Sequence, residues 1–123
     1  MKILIISSDK NLRDVLKFCF GGWGYDVVLL ESAPKEVLPI KRASPDVIVV
    51  DVHAAKRPDL EICGLLKDDF ITAFIPVITL IDKRRLRSQL LDIKQGVDDY
   101  LIKPPDPLDL RVRVEMADRK SVV

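Results

Sequence analysis

The sequence predicts a doubly wound α/β domain, with five parallel strands in one sheet and helices on both of its faces. Three observations predict it. Short apolar runs alternate with amphipathic segments from one end of the chain to the other. The runs are continuous rather than polar at every second residue, the mark of strands covered on both faces. At 123 residues the chain has room for one core and no second, so residues 1–123 read as a single domain. Strands separated by helices make βαβ units, and these close into a parallel sheet.

The elements follow in order. Ile3 to Ile6 is a short run rich in β-branched residues and gives the first strand. Asp9 caps a helix in which Leu12, Val15, Leu16, Cys19 and Phe20 share a face. Gly21, Gly22 and Gly24 end it, and Tyr25 to Leu30 is the second strand. Ala33 to Lys41 is read as a short helix, with Pro34 tolerated in its first turn. Ser44-Pro45-Asp46 then turns into Val47 to Asp51, the strongest strand pattern in the chain. A helix over Asp59 to Asp69 packs through Leu60, Cys63, Leu66 and the stem of Lys67. Pro76 to Ile81 is the fourth strand. Leu86, Leu90 and Ile93 give the next helix its stripe, Gly96 stops it, and Val97 to Ile102 is the fifth strand.

The last segment points two ways. Leu108, Leu110, Val112, Val114 and Met116 alternate with polar residues as a strand would. A cap at Asp106, Pro107 at the first helical position and a face of Leu110, Val114 and Ala117 favour a helix. It is read as the last helix.

Composition excludes several classes. Apolar residues make up 48% and charged residues 32%, which fits a folded domain rather than a disordered chain. The longest apolar stretches, such as Val47 to Val50, fall far short of the about 20 residues of a membrane span. Met1-Lys2 and its short apolar run read as a buried strand rather than a signal peptide, so the protein is expected in the cytoplasm. Cys19 and Cys63 sit in helical patterns and are expected to be small core residues. His53 is the only histidine, which leaves no obvious metal cluster. A net charge of +1 gives no global field toward nucleic acid or membrane, so partners are expected to be proteins recognised by a local surface.

In such sheets the working crevice lies beyond the carboxyl ends of the strands. Ser7, Ser8, Asp51, Ile81, Asp82 and Lys103 therefore require scrutiny. Asp51 ends the most buried strand, where a carboxylate is costly without a partner or a task. Lys103, followed by Pro104, ends the last strand, and the two side chains are expected to converge. Such a pair could take and hold a phosphoryl group, the lysine acting as a point charge. It could equally be a structural salt bridge.

At this point the chain resembles the receiver domains of two-component response regulators over almost its whole length. The carrying segments are Lys2-Ile3-Leu4-Ile5-Ile6, Ser44-Pro45-Asp46-Val47-Ile48-Val49-Val50-Asp51, Ile75-Pro76-Val77-Ile78 and, most specific, Gly96-Val97-Asp98-Asp99-Tyr100-Leu101-Ile102-Lys103-Pro104. The resemblance implies a flavodoxin-like fold and a phosphorelay in which a histidine kinase phosphorylates the aspartate ending the third strand. That position is Asp51. The family's lysine falls on Lys103 and its switch aromatic on Tyr100.

The departures are as informative. Two acidic residues that bind Mg²⁺ in the family fall on Ser7 and Ser8, and hydroxyls are poor replacements for carboxylates. Asp9, one residue later, could swing in to join Asp51 at a metal, but it is also the expected helix cap. The switch Ser or Thr falls on Ile81, with Thr79 on the same strand face but deeper. Asp82 follows it, placing a negative charge beside a site meant for a dianion. After Asp51 the family's Pro and Gly fall on Ala55 and Asp59, and His53 borders the site and reads as a loop residue.

Other features have plainer readings. Lys83-Arg84-Arg85-Leu86-Arg87 reads as a solvated basic face opening the fourth helix, with partner docking as the alternative. Gly21-Gly22-Trp23-Gly24 precedes a strand and is no phosphate loop, and Trp23 is expected at the sheet edge. The ending at Arg119 to Val123 reads as a stand-alone receiver or one excised from a larger regulator.

The leading expectation is an atypical receiver, not an enzyme, that acts as a protein-interaction module without Mg²⁺-dependent phosphorylation. Lys103 then pairs permanently with Asp51. The alternative is a working phosphoacceptor, Asp51, loaded by a histidine kinase with Mg²⁺ as cofactor. A third reading is a flavodoxin-like small-ligand-binding protein or small hydrolase. Partners are expected on the face made by the fourth helix, the fifth strand and the last helix, where Arg84, Arg87 and Asp98 could contribute to a homodimer.

Overall fold

The computed structural model describes residues 1–52, 57–85 and 97–121. Five parallel strands form one sheet in the order β2-β1-β3-β4-β5. The elements are β1 (Lys2–Ile6), α1 (Lys10–Gly22), β2 (Asp26–Leu30), α2 (Leu38–Ala43), β3 (Val47–Asp51), α3 (Arg57–Asp68), β4 (Val77–Ile81), β5 (Asp99–Ile102) and α4 (Pro107–Ser121). Single 3₁₀ turns at Thr72–Phe74 and Lys83–Arg85 flank β4.

The predicted two-sided burial holds. Every residue of β3 and β4 is buried. On one face Leu16 and Phe20 of α1 and Leu110 and Val114 of α4 pack on Ile3, Ile5, Val47, Val49, Ile78 and Leu80. On the other, Ile40 of α2 and Ile62, Cys63 and Leu66 of α3 pack on Leu4, Ile6, Ile48 and Val50. Alternate residues of one strand serve opposite layers, which is why the runs are apolar without a break.

Local signals set several boundaries. Asp9 caps α1, its carboxylate accepting the N–H groups of Asn11 (2.9 Å) and Leu12 (3.2 Å). The last segment is the helix favoured above, and Asp106 accepts the Leu108 N–H at its start (2.9 Å). Its alternation arises because Leu110 and Val114 face the core while Leu108, Val112 and Met116 face out.

The second helix differs from the expectation. It runs over Leu38–Ala43 rather than from Ala33, with Pro39 in its first turn and Ser44 in the left-handed region (φ 50°) at its end. A helix from Ala33 would carry Pro39 in its interior, where the ring clashes with the preceding turn. The other boundaries move less: β2 begins at Asp26, α3 covers Arg57–Asp68, β4 begins at Val77 and β5 at Asp99. Asp98, expected within the last strand, instead turns its carboxylate to the Val77 N–H (2.7 Å) and the Lys67 ammonium (2.9 Å). Val15 is exposed although it was placed on the core face of α1, and Cys19 is only half-buried. Cys63 is buried as expected, and burial pushes its thiol up to about 12. Trp23 packs edge-on against Phe20 (ring centroids 5.2 Å apart) beneath the Arg111 guanidinium (4.9 Å), so it covers one core layer. The stripe of Leu86, Leu90 and Ile93 with its stop at Gly96, together with Arg87, His53 and Ala55, lies outside the described residues.

Candidate functional site

Three strand ends build the site. β1 and β3 are neighbours, paired Ile6 to Val50, so Ser7 and Asp51 emerge side by side. β5 lies one strand further, beyond β4, with Ile102 beside Ile81, and Lys103 reaches back across the end of β4. The sheet order thereby brings together residues far apart in the chain.

Asp51 is nearly buried, at 2% exposure. The Lys103 ammonium donates to its Oδ1 at 2.7 Å and lies 3.4 Å from the Val52 carbonyl. The Ser7 hydroxyl donates to its Oδ2, also at 2.7 Å, and itself accepts the Asp9 N–H at 3.1 Å. Arg13 in turn donates to the Ser7 carbonyl at 2.7 Å. Both oxygens of Asp51 thus have protein donors, and the one hydroxyl proton of Ser7 is committed to one of them. An ion pair this buried need not add net stability, but removing one partner leaves a costly unpaired charge.

The remaining candidates divide. Ser8 is exposed. Asp9 points its carboxylate at the first turn of α1. Ile81 is fully buried and offers no donor. Thr79, the nearest hydroxyl on β4, is fully buried beside Tyr100 in the sheet register, and its Oγ1 has no hydrogen-bond partner among the described residues. Tyr100 is 36% exposed on the outer part of β5. Asp82 follows β4 and accepts the Arg84 N–H at 2.9 Å, which holds its carboxyl below the usual range, with the Lys103 charge acting in the same direction.

These donors do not fit a Mg²⁺ ion. Magnesium demands hard oxygen ligands around an octahedron, usually including carboxylates. Here one Asp51 oxygen faces a hydroxyl proton and the other an ammonium, and Asp9 is engaged as a cap. No group of three or more His, Cys, Asp or Glu side chains suited to a metal occurs among the described residues.

A family model described as Response regulator receiver domain matches residues 3–115. The chain belongs to the response-regulator receiver family. The receiver is 27% identical to the alkaline phosphatase synthesis transcriptional regulatory protein PhoP of Bacillus subtilis, over 99% of this chain and 50% of that protein. It is 24% identical to the DNA-binding response regulator MtrA of Mycobacterium tuberculosis, over 98% of this chain and 51% of that protein. The receiver therefore spans about half the length of the curated relatives it matches. Among solved structures it superposes on the Francisella response regulator 1452 receiver domain with a TM-score of 0.82, at 25% identity and covering 98% of each chain. The receiver domain of the sensor histidine kinase PA1611 of Pseudomonas aeruginosa, solved with a magnesium ion in its active-site cleft, gives 0.84 at 19% identity, over 96% of this chain and 97% of that one. At that identity the likeness concerns the fold alone.

The sequence located Ser7, Asp51 and Lys103 but read Ser7 only as a lost ligand. Its gain, a donor to Asp51, was missed, since a strand end gives a residue's place but not the direction of its hydroxyl. Arg13 was missed as well. Its only signal is a position one turn into α1, facing back to the strand end.

Proposed function

We propose that this receiver is an atypical one, a protein-interaction module of two-component signalling that works by binding rather than by catalysis and without Mg²⁺-dependent phosphorylation. The observation that carries the reading is the double engagement of Asp51 by Ser7 and Lys103. An aspartate that is to attack phosphorus needs a free oxygen and a cation to balance the charge that develops. Here neither oxygen is free: Ser7 donates to one, and Lys103, the one cation bonded to Asp51 among the described residues, donates to the other.

Its partners, a histidine kinase or a second copy among them, would meet the outward face of β5 and α4. Tyr100, Ile102, Pro104, Pro105, Asp109 and Arg113 line a groove of about 460 Å³ there. The alternative, Asp51 as a phosphoacceptor with Asp9 supplying the metal, requires Asp9 to leave the first turn of α1 and Ser7 to turn away. Family membership favours both of these over a small-ligand-binding protein or a hydrolase.

The test is an amide NMR titration with Mg²⁺ and then beryllofluoride, a phosphoryl mimic. The expected outcome is no change at Asp51, Lys103 or Tyr100 at saturating reagent. Shifts at these residues that need both reagents would establish a phosphoacceptor instead.

A further inference from the structure

We propose that this receiver pairs with a second copy of itself through an apolar patch of Phe70, Ile71 and Phe74. The patch lies between α3 and β4, at the amino-terminal end of the strands and opposite the end that carries Asp51 and Lys103. The inference therefore stands whether or not Asp51 is phosphorylated.

Phe70, Ile71 and Phe74 are 88%, 65% and 75% exposed, yet the segment that carries them is firmly held. The Asp69 carboxylate accepts the N–H groups of Ile71 (2.9 Å) and Thr72 (3.1 Å), and its carbonyl accepts that of Ala73 (2.8 Å). The fully buried Thr72 donates its hydroxyl to the Leu66 carbonyl at 2.7 Å. Lys67 donates to the carbonyls of Ala73 and Ile75. With Thr72 anchored inward, its apolar neighbours are held out toward solvent, and a surface already fixed loses little entropy on binding.

Area and charge both fit a second copy. Two exposed phenylalanines and an isoleucine offer roughly 400 Å², as large as the biggest patch on an ordinary monomer, which is often functional. Leu38 and Leu65, both exposed, extend it. Each lies one turn before a member of the Lys41–Asp69 ion pair (2.6 Å), which ties the end of α2 to the end of α3. Two copies meeting here would bury roughly 1,000 Å² in total, the size at which specific interfaces begin. In a two-fold pair the same patch meets itself, so unbalanced charge at its edge would repel. The two cations beside it are neutralised within each copy, Lys41 by Asp69 and Lys67 by Asp98 (2.9 Å), and the net charge of the chain is only +1. The patch offers little charge to select a charged partner, while an identical apolar patch can meet it.

Sedimentation velocity of the native chain tests the pairing. An interface of this size is expected to give a monomer–dimer equilibrium between about 10 µM and 1 mM. Phe74→Asp, at an exposed position, is expected to weaken the dimer at least about tenfold with an unchanged Tm. Val112→Asp, on the outward face of α4, is expected to leave the dimer as it is. Amide NMR shifts on dilution of the native chain locate the contact without any substitution, and are expected at Phe70 to Phe74. A monomer throughout the concentration range overturns the proposal and leaves the patch to a different protein. A dimer that survives Phe74→Asp, or whose dilution shifts fall on β5 and α4 instead, overturns it equally.

Discussion

At Ser7 a hydroxyl donates to Asp51 where a carboxylate would have repelled it, so an acidic site becomes a closed hydrogen-bonded one. Thr79 shows the opposite situation. Its Oγ1 is fully buried with no partner among the described residues, and a stranded hydroxyl carries its full desolvation cost. Valine has the shape of threonine without the oxygen. Thr79→Val is therefore expected to raise stability by about 1 kcal/mol in urea denaturation. A loss of stability would mean that the hydroxyl has a partner in solution. Sequence inspection flagged Thr79 only as a hydroxyl two residues too early, because whether it is satisfied depends on what the neighbouring strands present.

The elements are held in register as much by side chains at their ends as by their own ladders. Asp98 is the clearest case, since one carboxylate oxygen accepts both the first N–H of β4 and the ammonium of Lys67 at the end of α3. Lys67 keeps other acceptors, the carbonyls of Ala73 and Ile75, whereas the Val77 N–H would be stranded. Asp98→Ala is expected to cost about 1–3 kcal/mol in urea denaturation, and Asp98→Asn, which retains an acceptor oxygen, much less. Equal losses in the two would show that charge rather than acceptance matters. Strands were the most legible elements, because continuous β-branched runs suit a doubly covered sheet and little else. Helix limits were less legible. Pro34 and Pro39 both suit a first turn, but a helix begun at Pro34 would carry Pro39 in its interior, so the later proline opens α2.

Across the molecule the two apolar layers share one sheet, so neither can be lost while the other stands. Trp23, the only tryptophan, reports on the layer under α1 and α4, while Cys63 reports on the layer under α2 and α3. Tryptophan fluorescence and Cys63 thiol accessibility are expected to change with one urea midpoint, as a single cooperative unit requires. Separate midpoints would reveal two independently unfolding layers. The sequence by itself determined the five strands, the helices on both faces, and the strand-end positions of Asp51 and Lys103. These depend on local periodicity and on rules of chain connection that hold for any βαβ chain. The tertiary structure alone decided that Ser7 bonds to Asp51 and that the Thr79 hydroxyl is left without a partner among the described residues. Each of these depends on side-chain direction across strands that are neighbours in space and distant in sequence, where a difference of a few ångströms separates a ligand from a cap.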